Sequence, residues 1–348
     1  MEQKYLAVII IAIIVIAAPV GVYLILYSGG PAEEATYKAA FVMGGDETDL
    51  GFSYMAIQGA YRLRDKYGFD IDISRQVQFA DQSRVVSEYA AAGYDVIFCI
   101  GGQFIPTTYF EVATQYNDTF FVQIPGLNEY VPAPDNLVGL HPSFQTIGHY
   151  LAGVLAGNMT ETNVVAAVFG EWYEYLSMEF FAFKAGVESV NPTAEVLARV
   201  AGDWGDAALG YQITESLITT KDADIIVQVA DTTGRGVISA CQDYNVSVIG
   251  SVGDQATLAP EVTMTSIGMD TPWLMEVVAS HLINGTLFDE LGGLSWEIPI
   301  GNYLYPFHQF DDIIPQALKD LLAQTALDIE AGTITVPRTV TEDPPLDP

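Results

Sequence analysis

Short apolar runs alternate with amphipathic stretches from residue 38 to residue 331, and this alternation limits the possible folds more than any other feature of the sequence. Most of the short runs are almost continuous in valine, isoleucine and phenylalanine, as expected for parallel strands that are covered on both faces. Strand–helix alternation of this kind produces right-handed βαβ units in doubly wound sheets. The sequence therefore predicts an α/β protein.

Eleven strands and nine helices are predicted from this pattern. The strands are expected at 38–43, 71–79, 96–101, 119–124, 137–140, 164–169, 195–200, 225–230, 246–251, 264–267 and 297–303. The helices are expected at 53–66, 83–92, 109–116, 145–158, 176–190, 206–218, 233–243, 272–283 and 315–331. The roughly 300 residues after the N-terminal segment are too many for one average domain, so two lobes are expected.

An uncharged N-terminal segment indicates the compartment. Residues 6–27 form a run of 22 residues without a charge, which matches the roughly 20 apolar residues that a helix needs to cross a bilayer. The apolar region of a cleaved signal peptide is shorter, about 7–15 residues, and ends in a small-residue site that is not evident here. Residues 1–34 are therefore predicted to be a single-pass membrane anchor and linker, with the bulk of the chain extracytoplasmic. A long signal peptide that is removed is the alternative.

The charge balance is strongly acidic, with 44 acidic and 13 basic residues and a net charge of −31. Such a surface repels nucleic acid and anionic headgroups, so no nucleic-acid partner is expected. Adaptation to a salty medium or a need for solubility accounts for the charge.

Two cysteines and four scattered histidines indicate neither a disulfide framework nor a metal or cofactor site. Four sequons would accept glycans on an external protein: Asn117, Asn158, Asn245 and Asn284.

Glycine, aromatic and acidic residues are concentrated in the turns that follow the predicted strands. Ligands bind at the carboxyl ends of the strands in open α/β sheets, so these turns are the expected binding region. Glycine permits tight turns and close backbone approach, while aromatic rings and carboxylates offer flat apolar faces and hydrogen-bond acceptors. The combination favours a neutral, planar ligand that is rich in donors. The turns are residues 43–55, 101–104, 125–130, 170–175, 202–206, 231–236 and 251–255.

The sequence contains no recognisable catalytic motif. Segment 231–236 (DTTGRG) lacks the Lys-Ser/Thr pair of a Walker phosphate loop. Neither a G-x-S-x-G elbow nor a G-x-G-x-x-G turn after the first strand occurs. We therefore expect a binding protein and not an enzyme. A nucleoside hydrolase on the same fold is disfavoured, because an aspartate cluster for metal is missing.

The strand-end turns and their flanks resemble the basic membrane protein family of ABC-transporter substrate-binding proteins, which includes bacterial purine-nucleoside-binding lipoproteins. The resemblance covers most of residues 37–300, with DLGFSYMAIQGA at 49–60 and FKAGVESVNP at 183–192 among the matching stretches. Its most specific part is 223–255, which contains Thr-Gly-x-Gly and ends in Asp-Gln. The resemblance implies a type I periplasmic-binding-protein fold, with two Rossmann-like, doubly wound lobes and three crossovers around a ligand cleft.

Such a fold predicts the boundaries of two lobes and leaves residues 336–348 as a separate tail. Lobe 1 is expected to comprise residues 37–139 and 270–300, and lobe 2 residues 142–265 and 305–332. The chain would cross near 140, 268 and 304, because segments that complete each sheet return after the other sheet has formed. The tail at 336–348 contains four prolines in thirteen residues and is predicted to be disordered.

Matching of individual positions to the family implies binding roles for four residues. Phe52 matches the aromatic residue of the first lobe that stacks on the base, and Trp204 falls at the aromatic position of the second lobe. Asp254 matches a carboxylate near the ribose, and Gly234 lies in a loop whose backbone approaches the ligand. Structural roles are the alternatives: Phe52 as a helix staple, Trp204 as core filler and Asp254 as a helix N-cap.

Four further residues near the strand ends are candidates for ligand contact. Gln103 follows the third strand, and Trp172 lies at the expected rim of lobe 2. Asp231 either reaches the cleft or caps its helix, whereas Asp49 fits an N-cap of the following helix better than a direct ligand contact.

The chain departs from the nucleoside binders at several polar positions. Met43 and Pro125 stand where the family places aspartates after the first and fourth strands, and Val252 replaces another aspartate. The family's lysine after Thr-Ser falls near Gly268 or Met269. The changed positions favour a neutral, ring-containing solute such as a nucleobase or a modified nucleoside.

These features together predict an extracytoplasmic, membrane-anchored solute-binding protein of an ABC importer. Its expected partners are the small-molecule ligand, the membrane through the N-terminal helix, and ABC permease subunits. A surface-exposed ligand sensor that works without a transporter is the alternative.

Overall fold

The computed structural model describes residues 37–141, 143, 145–297 and 303–345. The predicted anchor and linker at 1–34 lie outside these ranges. Over the ranges that are described, no helix is both long enough and apolar enough to cross a bilayer.

The first sheet contains six parallel strands: β1 (Lys38–Met43), β2 (Asp70–Ser74), β3 (Val96–Ile100), β4 (Phe120–Ile124), β5 (Leu137–Leu140) and β11 (Ser295–Trp296). Their order across the sheet is β11–β5–β4–β3–β1–β2. Strands β3, β4 and β5 are buried along their whole length, as in parallel sheets covered on both faces, whereas edge strand β2 is partly exposed. Strand β11 precedes the predicted strand at 297–303, of which 298–302 lie outside the described ranges.

The second sheet contains five parallel strands: β6 (Val164–Phe169), β7 (Glu195–Val200), β8 (Ile225–Val229), β9 (Ser247–Val252) and β10 (Thr263–Gly268). Their order is β10–β9–β8–β6–β7, and Leu304 adds an antiparallel bridge to Ile267 on the β10 edge. The predicted α/β class, with strands in parallel sheets, is confirmed.

The described ranges hold nine α-helices: α1 (Phe52–Tyr67), α2 (Gln82–Ala91), α3 (Thr146–Met159), α4 (Glu174–Val190), α5 (Ala207–Lys221), α6 (Asp231–Tyr244), α7 (Thr271–Ile283), α8 (Leu287–Leu291) and α9 (Gln316–Glu330). Helix α1 packs against α7, α3 against α4 and α9, and α5 against α6. Strand β11 returns to the first sheet after β10 has ended the second, and α9 then returns to α3. The chain thus runs between the two sheets after β5, after β10 and after β11.

Two elements differ from the sequence prediction. Strand β2 ends at Ser74 and not at residue 79, because Gln76 adopts a φ of 53° that no strand tolerates. The predicted helix at 109–116 is a π-helical segment, Pro106–Val112, followed by the 3-10 turn Ala113–Gln115. Both differences arise in connections beside the first sheet.

The tail has defined partners where disorder was predicted. The Thr341 N–H donates to Ser177 Oγ at 2.8 Å, and the Thr341 carbonyl accepts from Trp172 Nε1 at 3.1 Å. Arg338 forms an ion pair with Glu297. Although the prolines exclude regular secondary structure, backbone groups between them hydrogen-bond to side chains on α4 and just before it.

Two glycines allow α3 and α4 to pack in close contact. A Cβ atom at Gly153 would lie 2.1 Å from the carbonyl oxygen of Phe183, and one at Gly186 would lie 2.0 Å from that of Tyr150. A side chain at either position would therefore force the two helix backbones apart. The close approach fixes α4, whose first turns line the cavity between the sheets.

Candidate functional site

A cavity of about 670 Å³ lies between the two sheets at the carboxyl ends of their strands. Ile100 at the end of β3, Val229 at the end of β8 and Val252 at the end of β9 all line it. Strand ends from both sheets therefore form one concave surface. This is the position at which open parallel sheets bind ligands, and the volume is within the range of small-molecule sites.

Loops of the two sheets contact each other around the cavity. Asn128, after β4, donates to Glu174 Oε1 on α4 at 2.8 Å. Arg235 on α6 donates to the Thr48 carbonyl, before α1, at 3.1 Å. These contacts join the first-sheet loops to the second-sheet helices, so the cavity is enclosed between them.

Trp204 presents an aromatic face to the cavity from the loop after β7. Its indole Nε1 donates to Glu171 Oε2 at 2.9 Å, and its ring lies against Gly170, where a Cβ would come within 2.3 Å of a ring atom. The Trp204 carbonyl accepts from Thr233 N at 3.0 Å. The ring is thus held in place before any ligand arrives. Glycine at position 170 is required because any side chain there would displace the indole.

Phe52 lines the cavity from the first residue of α1 and is partly exposed to it. Gln103 also lines it, from the 3-10 turn after β3, with its side-chain amide lying over Gly44 and Gly101. Both residues lie in connections that follow strands of the first sheet, whereas Trp204 follows a strand of the second. The cavity therefore has an aromatic side chain on each of its two sides.

Asp49 caps the start of α1 with a buried carboxylate. It accepts from the backbone N–H groups of Gly51 at 2.9 Å, Ser53 at 2.8 Å and Tyr54 at 2.9 Å. Burial raises the pKa of Asp49, and the hydrogen bonds from these N–H groups oppose that rise. The capping geometry expected from the sequence is therefore present, and the same residue also lines the cavity.

Asp231 brings a second carboxylate to the same helix N-terminus from the other sheet. It is the first residue of α6, and its Oδ1 lies 3.5 Å from the backbone nitrogen of Phe52. Burial, followed by the charge of Asp49, raises the pKa of Asp231 to about 7. Asp49 and Asp231 thus repel each other at the start of α1 when both are ionised.

Replacing Asp231 by asparagine is expected to weaken the dependence of stability on pH. Because its pKa is raised in this structure, Asp231 stabilises the fold at low pH, and that stability is lost as pH rises from about 4 to about 7. Asparagine cannot ionise, and it tolerates the φ of 45° at this position. Between pH 5 and pH 8, the wild-type free energy of unfolding should fall by about 2–3 kcal/mol more than that of Asp231→Asn.

Urea unfolding at pH 5 and pH 8 measures this difference, and Asp222→Asn is the matched control. Asp222 also has a positive φ, of 60°, at a helix end, but its side chain is exposed. The control should retain the wild-type pH dependence. An Asp231→Asn variant with the same pH dependence as this control would show that burial and the charge of Asp49 do not raise the pKa of Asp231 measurably.

Three residues that the sequence predicts to contact the ligand do not line the cavity: Asp254, Trp172 and Gly234. Asp254 accepts from the backbone N–H of Ala256 at 3.2 Å, and its Oδ2 lies 2.8 Å from His308 Nε2. Trp172 packs edge-on against Phe169 and donates to the tail. Asp254 and Trp172 each hydrogen-bond to another part of the same chain. A role for either residue in ligand contact therefore stays a prediction.

Gly234 affects the cavity by leaving space for the side chain of Gln228. A Cβ atom at this position would lie 1.8 Å from Gln228 Oε1, and Gln228 itself lines the cavity. Gln228 Oε1 also accepts from the backbone N–H of Ala230 at 3.1 Å, at the turn into α6. Glycine at 234 therefore gives Gln228 the space to reach the cavity wall.

Sequence reasoning missed several polar residues of the cavity wall. Glu179 lies in the middle of α4 and Gln145 just before α3, so neither follows a strand. Ser251 lies near the end of β9, at the start of the segment 251–255 in which the sequence indicates Asp254 instead. One signal for Glu179 was available: it is a lone acid within the apolar stretch LSMEFFAF, on a helix that must be covered.

The cavity wall is acidic. Lysine and arginine are absent from its described lining, so nothing there neutralises an anionic ligand. No group of three or more His, Cys, Asp or Glu in the described ranges is arranged to hold a metal ion. Anionic solutes are disfavoured electrostatically, and groups that donate hydrogen bonds are favoured. The acidic lining residues are Asp46, Asp49, Glu171, Glu179, Asp203 and Asp231.

Comparison with known proteins identifies the family to which this chain belongs. The sequence model of the Bmp family, described as "ABC transporter substrate-binding protein PnrA-like", matches residues 36–300. Basic membrane protein A of Borreliella burgdorferi is 23% identical over 258 residues, covering 72% of this chain and 74% of that protein. The ABC-transporter nucleoside-binding protein BmpA of Lactococcus lactis is 26% identical over 204 residues, covering 54% of this chain and 57% of the relative.

A solved structure supports the fold. The ABC-transporter solute-binding protein from Conexibacter woesei superposes with a TM-score of 0.70 at 23% identity, over 88% of this chain and 100% of that chain. The family match spans both sheets and all the residues that line the cavity. The resemblance found in the strand-end turns is therefore confirmed, and the chain belongs to the Bmp family of PnrA-like ABC-transporter substrate-binding proteins.

Proposed function

We propose that this protein captures a small, neutral, ring-containing solute, nucleoside-like or nucleobase-like, in the cavity between the sheets and delivers it to an ABC permease. The observation that carries the proposal is the cavity wall, which combines Phe52 and Trp204 on opposite sheets with acceptors and no described cation. Aromatic faces bind a planar ring, and the acidic wall selects against anions. The name of the Lactococcus relative, a nucleoside-binding protein, agrees with this solute class.

We further propose that the two sheets belong to two lobes that close around the solute. Residues 37–139 with 270–300 would form lobe 1, and 142–265 with 305–332 would form lobe 2. The contacts between Asn128 and Glu174 and between Arg235 and Thr48 would hold the closed state. Hinge closure of this kind lets a permease distinguish the loaded from the empty protein. The protein would then act by binding and release, without converting its solute.

The 22-residue uncharged segment at 6–27 supports a membrane anchor that holds the protein outside the cytoplasm. A tether of this kind keeps a binding protein near its permease. The alternative is a tethered ligand sensor that needs no transporter. Uptake of labelled solute by cells that lack this protein separates the two, because only the transport role predicts a loss of uptake.

Mass spectrometry of small molecules released from the purified full-length protein tests the solute class. Calorimetry with purine and pyrimidine nucleosides, free nucleobases and simple sugars then ranks the candidates. We expect a nucleoside or nucleobase to bind more tightly than any sugar. Tight binding of inorganic phosphate or another strong anion would contradict the proposal, as would turnover of a bound nucleoside.

A further inference from the structure

Glu179 places an unpartnered carboxyl group in the cavity wall. The side chain is fully buried in the middle of α4, and neither of its oxygens has a hydrogen-bond partner in the described protein. It nevertheless lines the cavity. A buried polar group without a partner is costly, so such a group is usually retained for a purpose other than stability.

Two other buried polar groups at the cavity wall share this property. The Gln145 amide nitrogen and the Ser251 hydroxyl both line the cavity and both lack a protein partner. Gln145 precedes α3, Glu179 lies on α4 and Ser251 lies on β9, so the three groups come from separate elements. Together they offer a donor, an acceptor and a hydroxyl that can do either. We call these three residues the polar subsite.

His149 is the titratable neighbour of Glu179 in the polar subsite. Its Nδ1 donates to the Gln145 carbonyl at 3.0 Å, which leaves a lone pair on Nε2, 3.6 Å from Glu179 Oε2. Burial lowers the pKa of His149 to about 4 and raises that of Glu179 well above its ordinary value. A neutral imidazole therefore faces a neutral carboxylic acid, and their separation of 3.6 Å is too long for a hydrogen bond between them. The carbonyl oxygen of Glu179 remains as an acceptor for a ligand.

We propose that Glu179, Gln145 and Ser251 bind a neutral group of the solute that donates one hydrogen bond and accepts another. The inference rests on the proposed function, because it assumes that the cavity holds a solute. The Glu179 carbonyl oxygen accepts from the solute, and the Gln145 amide donates to it. The lactam edge of a nucleobase and a sugar hydroxyl both have this chemistry. The polar subsite thus selects for a polar edge, whereas Phe52 and Trp204 select for a ring.

Calorimetry with the full-length protein in detergent tests the polar subsite with three probes: inosine, purine riboside and 2′-deoxyinosine. Purine riboside lacks the lactam edge, and 2′-deoxyinosine lacks one hydroxyl. If the lactam edge enters the polar subsite, the wild type binds inosine more tightly than purine riboside. If the hydroxyl enters it, the wild type binds inosine more tightly than 2′-deoxyinosine. Glu179→Leu should weaken inosine binding about 5- to 150-fold and remove whichever preference the wild type shows.

Two further variants separate the proposed chemistry from a structural effect. Glu179→Gln should bind within about 3-fold of the wild type, since its amide oxygen accepts from the solute as the neutral carboxylic acid does. Gln145→Leu should weaken binding in the same direction as Glu179→Leu, and it carries the test if Glu179→Leu fails to fold. Met178→Leu, a buried neighbour on α4 that does not line the cavity, should leave affinity unchanged.

The outcomes distinguish failure of this inference from failure of the proposed function. Wild-type binding of inosine with unchanged affinity in Glu179→Leu and Gln145→Leu overturns the polar subsite alone. A loss in Glu179→Gln as large as that in Glu179→Leu overturns the neutral-group assignment, because it would mean that the solute needs an ionised carboxylate. A wild type that binds none of these probes, and no other nucleoside or free nucleobase, overturns the proposed solute class and the polar subsite with it.

Discussion

Replacing Trp204 by alanine is expected to weaken solute binding by about 1–3 kcal/mol, a factor of roughly 5–150 in affinity. The indole is held against Gly170 and hydrogen-bonded to Glu171, so it offers a stacking face at little cost in conformational entropy. Phe52→Ala should produce a loss of similar size, because Phe52 faces the cavity from the other sheet. Trp204→Phe should retain most of the affinity, since phenylalanine keeps an aromatic face.

Calorimetry with inosine measures this effect, and exposed aromatic residues elsewhere provide the controls. Phe110 is 63% exposed on the π-helical segment and Trp273 is 39% exposed on α7, and neither lines the cavity. Phe110→Ala and Trp273→Ala should bind as the wild type does. Unchanged affinity in both Phe52→Ala and Trp204→Ala would refute the stacking arrangement and leave the ring-binding proposal without its main support.

Gly186→Ala is expected to lower the free energy of unfolding by about 2–4 kcal/mol. The added Cβ would lie 2.0 Å from the Tyr150 carbonyl oxygen, a backbone atom that cannot rotate away. Overpacking in a core costs about 1–3 kcal/mol when side chains can adjust, and here two helix backbones must separate. Alanine's helix propensity offsets only about 1 kcal/mol of this cost.

Gly59→Ala is the matched control, measured by urea unfolding under the same conditions. A Cβ at Gly59 would come 2.3 Å from the sulfur of Met275, in a flexible side chain that can move to another rotamer, and 3.2 Å from Pro272 Cα, which needs to shift by only a few tenths of an ångström. We expect a change below about 1 kcal/mol, because the gain in helix propensity largely compensates the adjustment. Equal losses in both variants would show that the α3–α4 contact is not the tightly packed one that the structure describes.

The sequence by itself determined the class of fold and the location of the cavity. Short continuous Val, Ile and Phe runs that alternate with helical stretches are typical of buried parallel strands, and the turns after such strands meet at one edge of each sheet. Five residues in or beside these turns therefore line the cavity, although the binding roles of Phe52 and Trp204 came from the family resemblance: Phe52, Trp204, Asp49, Gln103 and Asp231. Local pattern was sufficient because the position of a turn relative to its strand is a local property.

Tertiary structure alone decided which polar groups meet. Asp254 faces His308, which is 54 residues away in the chain, and Asp231 faces the start of α1 from a distance of 179 residues. Glu179 joins the cavity wall because α4 packs on α3 through Gly153 and Gly186 and not because of any turn. Such contacts depend on how helices pack across the sheets. This packing cannot be predicted from the order of residues within a single element.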